Sequence, residues 1–102
     1  MIITLVLIFG VSTSAFAADV QHGGEIFTAN CSACHAGGQN AILPERTLQK
    51  DVLEKFSMKS IDAIVKQVTE GKNSMPPFGG RLSDQDIQDV ANYVLSQAEA
   101  GW

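Results

Sequence analysis

The hydrophobic positions of the chain recur at the spacing of amphipathic helices. Between Ile87 and Leu95 the apolar side chains form one continuous stripe, and Ser83 stands at the capping position ahead of it. After a second capping residue, Ser60, apolar residues fall at i, i+3, i+4 and i+7 until Gly71 ends the pattern. No stretch alternates between apolar and polar residues convincingly enough to predict a strand.

Two further helices are predicted nearer the amino terminus. Asp19 can cap a helix over residues 20–30. Apolar residues between Leu48 and Phe56 fit a short second helix, whereas the turn-rich stretch 36–45 predicts a loop. The pattern as a whole predicts an all-α fold of about four helices.

Charged residues divide the chain into two parts. All 18 of them lie at or beyond Asp19. Residues 1–17 are apolar or small and end in Ala-Phe-Ala, a triplet typical of a secretory signal peptide cleaved after Ala17. No basic residue precedes the apolar run, and an uncleaved membrane anchor is the alternative, although a spanning helix needs about 20 apolar residues. We therefore predict a signal peptide at residues 1–17 and one domain over residues 18–102.

The charge balance excludes one class of partner. Seven basic and eleven acidic side chains give a net charge of −4, and no Lys/Arg cluster of the kind that binds phosphate is present. A nucleic-acid partner is therefore not expected. A domain of this size buries only about 60 to 65% of its unfolded surface, so a cofactor or metal is expected to complete its core.

Residues 31–35 read Cys-Ser-Ala-Cys-His, the motif of covalent c-type haem attachment. One turn of chain places the thiols of Cys31 and Cys34 where they can add to the two vinyl groups of a haem, and the imidazole of His35 becomes an axial ligand. A thioredoxin-like redox pair would require a βαβ context, and a zinc site would require a fourth ligand, which His22 could supply. The motif and the export signal together favour haem.

The candidates for a second axial ligand are Met58, Met75 and His22. Met75 is followed by Pro76 and Pro77, which hold the chain extended and suit delivery of a thioether to iron. Met58 stands just ahead of a helix start, where methionine usually fills a core or lies on the surface. Met75 is the favoured ligand. With both axial positions filled, we expect one-electron transfer, because a haem enzyme or gas sensor would need an open sixth position.

The whole of residues 18–102 resembles the class I c-type cytochromes, and within them the cytochrome c6 family of algae and cyanobacteria. The resemblance rests on residues 28–38 (TANCSACHAGG), 71–78 (GKNSMPPF) and 89–94 (DVANYV). It implies a small class I cytochrome c fold, with about four helices wrapped around one covalently attached haem c.

The same resemblance assigns the site residues. It implies that Cys31 and Cys34 form the thioethers and that His35 and Met75 are the axial ligands of the iron. Gln67 matches a glutamine that the family places beside the haem. The other matching positions are Gly23 and Phe27, which cross the last helix against Tyr93, and the proximal loop proline Pro44.

The resemblance also implies partners and a location. It describes a soluble, monomeric carrier that takes single electrons from the cytochrome b6f complex and delivers them to photosystem I in the thylakoid lumen of a plastid or cyanobacterium. An acidic carrier is steered towards basic docking sites, and Arg81 is a candidate contact near the haem edge. The alternative is a bacterial periplasmic c-type cytochrome that donates to a terminal oxidase or reductase, since it would share every ligand.

Overall fold

The computed structural model describes residues 18–102, and the signal peptide predicted at residues 1–17 lies outside them. The described residues form five α-helices and one 3₁₀ turn, with two isolated β-bridges and no strand. In chain order the elements are α1 (Val20–Asn30), α2 (Ser32–His35), the 3₁₀ turn (Ala36–Gly38), α3 (Lys50–Lys55), α4 (Ile61–Glu70) and α5 (Asp84–Ala100). The predicted all-α fold is confirmed, and the four predicted helices are α1, α3, α4 and α5.

The three longest helices begin at the residues that the sequence predicts. The side chains of Asp19 and Ser60 each accept a hydrogen bond from the backbone N–H three residues further on. Ser83 and Asp86 form a reciprocal capping box at the start of α5. Gly71 ends α4 with a φ of 70°, a conformation that glycine adopts without steric cost. These helix ends are therefore set locally, by side chains next to them in sequence.

The Cys-x-x-Cys-His motif and the stretch after it contain more helical structure than predicted. The stretch 36–45, expected to be a loop throughout, begins with the 3₁₀ turn Ala36–Gly38. The single turn of α2 precedes it and was not predicted. An element of three or four residues is too short to produce a hydrophobic period, which explains why the sequence pattern does not show it.

The core lies where α1 and α5 cross and α4 packs against α5. Ile87, Val90 and Ala91 of the predicted α5 stripe are at most 1% exposed. The buried apolar cluster consists of Ile26, Phe27, Ile64, Val68, Phe78, Ile87, Val90, Ala91 and Val94.

Gly23 sets the distance between α1 and α5. A Cβ atom at this position would lie 2.1 Å from the carbonyl oxygen of Asp89 and 2.9 Å from Cβ of Tyr93. One turn further along α1, the ring centroid of Phe27 lies 5.4 Å from that of Tyr93. The crossing of Gly23 and Phe27 against Tyr93, implied by the resemblance, is present in the structure.

We expect Gly23→Ala to lower the free energy of unfolding by about 3 kcal/mol, because the two helix backbones must move apart to admit the methyl group. Gly24→Ala is the matched control. Its Cβ would meet only the Tyr93 ring, at 3.0 Å from Cε2, and alanine is favoured in a helix by about 1 kcal/mol. Denaturant unfolding measures both variants, and equal destabilisation would contradict this role of Gly23.

Candidate functional site

Cys31 immediately precedes α2 and follows α1, whereas Cys34 is the third residue of α2. The Cys31 N–H donates to the Phe27 carbonyl at 2.8 Å, so α1 carries the motif directly. Cys31 is half-buried and packs against the apolar cluster, whereas Cys34 is exposed. Burial raises the pKa of the Cys31 thiol to about 11. The thiol is therefore protonated at neutral pH, unlike the nucleophilic cysteine of a thioredoxin-like pair, whose pKa is lowered.

The ring of His35 is oriented by a hydrogen bond to the backbone. Its Nδ1 atom lies 2.9 Å from the carbonyl oxygen of Gln39. Since a carbonyl only accepts, Nδ1 carries the proton in this contact, and the lone pair of Nε2 is left for a metal. This is the arrangement that fixes the tautomer and strengthens the donor in metal-ligating histidines.

The alternative zinc site is not formed by the described residues. Within residues 18–102, no three His, Cys, Asp or Glu side chains come together to hold a metal ion. His22, the fourth ligand that such a site would need, instead bonds to Asp89 across the α1–α5 crossing.

Met75 is presented by a tight turn. The backbones of Lys72 and Met75 exchange two hydrogen bonds, of 3.0 and 2.9 Å, and Asn73 between them has a φ of 53°. A Cβ atom on Gly71 would lie 2.6 Å from the Met75 carbonyl oxygen, so the turn packs closely on the end of α4. The Met75 side chain is half-buried against the apolar cluster.

The segment that follows Met75 is docked on α4. Pro76 and Pro77 have no N–H to donate, and the next residue, Phe78, donates its N–H to the Val68 carbonyl at 2.9 Å. Phe78 itself is buried in the core. The extended segment predicted from the two prolines is therefore anchored to the helix behind it.

Gln67 lies beside Met75 because the chain turns back towards α4 after the helix ends. Its side-chain Nε2 lies 3.6 Å from the Met75 sulfur and is placed to donate to it. The contact spans eight residues, from α4 to the turn.

Met58, the other methionine of the described part, is half-buried and follows α3, where its N–H donates to the Leu53 carbonyl at 2.7 Å.

The donors and their surroundings fit a haem. Two thiols, an imidazole with a free Nε2 and a thioether are the donor set of c-type haem attachment and His/Met ligation. Ile42 and Leu43 in the loop 36–45 are exposed large hydrophobic side chains that an apolar ring would cover. Half-buried apolar side chains also flank the core, among them Leu48, Ile61, Val65 and Leu82.

Arg81 and Pro44, the two remaining sequence candidates, both lie on the surface. The Arg81 guanidinium carbon is 5.1 Å from the ring centroid of Phe78. Arg81 also donates its N–H to the Phe78 carbonyl at 3.0 Å, so it belongs to the turn after Phe78, which follows the turn of Met75.

A buried carboxylate at the α1–α5 crossing was not predicted. Asp89 is 2% exposed and accepts hydrogen bonds from His22 Nδ1 at 2.9 Å, the Asp19 N–H at 2.9 Å and Gln85 Nε2 at 2.8 Å. Burial by itself raises the pKa of Asp89, but these donors outweigh it and lower the pKa below its ordinary value. The bond to Asp89 and the neighbouring charge of Asp86 raise the pKa of His22.

We expect the His22–Asp89 pair to stabilise the fold more at acidic than at alkaline pH. Because the His22 pKa is raised from 6.5, its contribution is complete below about pH 6.5 and is lost as the pH rises through the folded-state pKa. The lowered Asp89 pKa means that its contribution is lost only below about pH 3.8. The difference in melting temperature between wild type and His22→Gln should therefore be larger at about pH 5.5 than at about pH 8.5. An equal difference at both pH values would contradict this.

Comparison with known proteins gives a consistent set of relatives. Residues 18–94 match the family described as "Cytochrome C oxidase, cbb3-type, subunit III". Cytochrome c6 of Porphyra purpurea is 64% identical over 95 residues, which cover 93% of this chain and 86% of the relative. Cytochrome c6 of Bumilleriopsis filiformis is 67% identical over 85 residues, which cover 83% of this chain and 99% of the relative.

Solved structures agree with the sequence relatives. The structure of cytochrome c6 from the diatom Phaeodactylum tricornutum has a TM-score of 0.81 and 57% identity, over 83% of this chain and 100% of the diatom protein. Cytochrome c6C of Synechococcus has a TM-score of 0.77 and 38% identity, over 79% and 99%. Within the described residues, no helix is long and apolar enough to cross a membrane.

Proposed function

The chain belongs to the cytochrome c6 family, whose members are electron-transfer proteins with covalently bound haem c rather than enzymes, and we propose that His35 and Met75 are its iron ligands. The single observation that carries the proposal is that another residue contacts each of the two candidate ligand side chains. The His35 imidazole is held by a hydrogen bond from Nδ1 to the Gln39 carbonyl, and the Met75 sulfur lies beside Gln67 Nε2.

On the proximal side, Cys31 and Cys34 would hold the porphyrin through thioethers, and His35 would present Nε2 to the iron. The bond from Nδ1 to the Gln39 carbonyl keeps the imidazole in one tautomer and one orientation. When bound, haem supplies the one-electron couple between Fe(II) and Fe(III). The protein therefore needs to supply only rigid ligands and an apolar surrounding.

On the distal side, the Lys72–Met75 turn would hold the thioether in place. Its two backbone hydrogen bonds and the close packing on Gly71 restrict the movement of Met75. A thioether ligand and burial both favour the ferrous state and raise the midpoint potential. Two protein ligands leave no coordination position for a substrate, which suits outer-sphere transfer of single electrons.

The Gln67 contact is expected to tune the potential. A donor to the Met75 sulfur withdraws electron density from it and so disfavours Fe(III). Removing that donor with Gln67→Val should lower the midpoint potential by roughly 20 to 60 mV, the equivalent of about one hydrogen bond for a one-electron couple. Gln88→Val on α5 is the control, and redox titration measures both. A midpoint potential of Gln67→Val equal to that of the wild type would contradict an effect of Gln67 on the iron through the Met75 sulfur.

We further propose that the protein carries electrons from the cytochrome b6f complex to photosystem I. The similarity to algal cytochrome c6 supports this. The net charge of −4 would steer the carrier towards basic docking sites, and salt at 0.1 M screens such steering beyond a Debye length of about 10 Å.

The test of these partners is kinetic. The reduced protein should donate to isolated photosystem I, and the oxidised protein should accept from the cytochrome b6f complex, at rates that fall as salt rises. Arg81→Gln should change the rate most at low salt, if Arg81 contacts the partner. Failure to react with either complex at any salt concentration would overturn the assignment of partners while leaving electron transfer itself intact.

One observation supports the second candidate function, a periplasmic donor to a terminal oxidase. The family that matches residues 18–94 is described as an oxidase subunit, although the relatives at 54 to 67% identity are cytochromes c6. Faster oxidation by a terminal oxidase than by photosystem I would favour this second function.

The proposed location rests on the predicted signal peptide and on the similarity to algal cytochromes c6. We propose that residues 1–17 direct export and are removed, leaving residues 18–102 as a soluble carrier in the thylakoid lumen. The Bumilleriopsis filiformis relative supports this division, because 85 aligned residues cover 99% of its length. Amino-terminal sequencing of the purified protein should begin at Ala18.

A further inference from the structure

Trp102, which follows α5, folds back on the molecule. Gly101, with a φ of 88°, ends α5 in the left-handed conformation. Its N–H donates to the Ala98 carbonyl at 3.1 Å, and the Trp102 N–H donates to the Gln97 carbonyl at 3.2 Å. This pair of bonds is the Schellman arrangement, which reverses the chain at a helix end. Trp102 is thereby directed towards the loop that follows α2.

Trp102 holds that loop at Gly38. A Cβ atom on Gly38 would lie 2.6 Å from Cε2 of the Trp102 ring, so the indole rests directly on the glycine. The indole Nε1 donates to the Leu48 carbonyl at 3.0 Å, and the Leu48 N–H donates to the Gly38 carbonyl at 2.7 Å. The indole and Leu48 therefore fix Gly38 by packing and by a hydrogen bond.

The fixed segment is the one that orients the candidate proximal ligand. Gly38 is bonded covalently to Gln39, whose carbonyl accepts from His35 Nδ1 at 2.9 Å. Movement of Gly38 would move this acceptor. The described contacts thus form a continuous path from Trp102, through Gly38 and Gln39, to the imidazole.

The indole is itself held rigidly. Its ring centroid lies 5.2 Å from that of Phe27 and 6.0 Å from that of Tyr93, the latter in an edge-on arrangement. Such aromatic pairs contribute beyond their buried area. Trp102 therefore connects the loop at Gly38 to the core at the α1–α5 crossing.

We propose that Trp102 is a positioning residue for His35, acting through Gly38 and the Gln39 carbonyl. The proposal rests on the proposed ligation of iron by His35. It goes beyond that ligation because it makes Trp102, 67 positions away from His35 in sequence, responsible for the strength of the Nδ1 hydrogen bond.

This role predicts the sign of a change in midpoint potential. A firm bond from Nδ1 to a carbonyl makes the imidazole a better donor, which favours Fe(III). Loosening the bond should therefore raise the potential. A merely structural role predicts the opposite sign, because loosening the fold admits water to the cofactor, and loss of the apolar surrounding lowers the potential.

The test uses two variants of Trp102 and one control. Trp102→Phe keeps an aromatic ring at Gly38 and removes the indole donor, whereas Trp102→Ala removes both. Tyr93→Phe, the control, removes a hydroxyl that accepts from Gln97 Nε2 at 3.0 Å in the same aromatic cluster. The readouts are amide hydrogen exchange at Leu48 and the midpoint potential, both measured on the holoprotein.

We expect Leu48 exchange to be at least about tenfold faster in Trp102→Ala, because its acceptor Gly38 is released. We expect the ratio of ferrous to ferric protein at a fixed potential to rise about two- to tenfold, which is a shift of roughly 18 to 59 mV at 59 mV per tenfold. Trp102→Phe should shift both readouts in the same direction by less, and Tyr93→Phe should shift neither.

An unchanged or lower potential in Trp102→Phe would overturn the proposal, and this variant decides the outcome if Trp102→Ala does not fold. Failure of the ligation itself has a separate signature, since the wild-type protein would then lack the spectrum of a His/Met-ligated iron. The two failures are therefore distinguishable from the wild-type spectrum alone.

Discussion

Replacing Met75 with leucine is expected to remove the far-red absorption band of the oxidised protein and to lower its midpoint potential by roughly 100 mV or more, within the range of about 0.8 V that axial ligands span. The far-red band arises from charge transfer between a thioether sulfur and ferric iron, so it requires the sulfur. Leucine conserves volume, and the fold should remain. The turn that carries residue 75 is held by backbone bonds to Lys72, which the substitution leaves in place.

Met58→Leu is the matched control for this substitution. Both methionines are half-buried in the described part of the chain, and both variants lose one thioether. Only the Met75 sulfur lies beside Gln67 Nε2. Absorption spectra and redox titration of the two oxidised variants measure the effect. Loss of the band in Met58→Leu, or its retention in Met75→Leu, would refute the assignment of the distal ligand.

The second large effect is expected from the cysteines. The double substitution Cys31→Ser, Cys34→Ser should abolish covalent haem attachment, because no thiol remains to form a thioether. We expect little folded protein to accumulate, since a domain of this size buries only about 60 to 65% of its unfolded surface without a cofactor. Each single variant should retain one thioether and an intermediate yield.

Extraction with acidified acetone measures covalent attachment, because only haem that is not covalently bound leaves the protein. Ser32→Ala is the control: it changes the same turn but leaves both thiols, and it removes only a hydroxyl bonded to the Thr28 carbonyl. Its haem should stay with the protein. Complete retention of haem by the double variant would contradict attachment through Cys31 and Cys34.

The parts of the fold that were predictable from sequence are those fixed by neighbouring residues. Asp19, Ser60 and Ser83 each cap a helix through a bond that spans three residues, so a short sequence pattern contains the whole interaction. The α5 stripe is equally local, because its residues share one face of one helix. Gly23 was predictable only through the family resemblance, since its role depends on α5.

The parts that were missed depend on distant or very short segments. His22 and Asp89 are 67 residues apart, and only the folded chain brings them together. The acceptor of His35 is a backbone carbonyl, which has no sequence signature. Trp102 is different, because a glycine just after a helix, followed by a hydrophobic residue, indicates a Schellman ending. That signal could have predicted that the chain reverses at Gly101 and that Trp102 packs back on the molecule.

The central claim is that His35 and Met75 both bind the iron, and one absorption spectrum of the purified protein in each oxidation state tests it most directly. The account predicts a six-coordinate, low-spin haem in both states and a far-red band that appears on oxidation and disappears on reduction. A five-coordinate, high-spin spectrum in either state, or an oxidised low-spin spectrum without the far-red band, would contradict it.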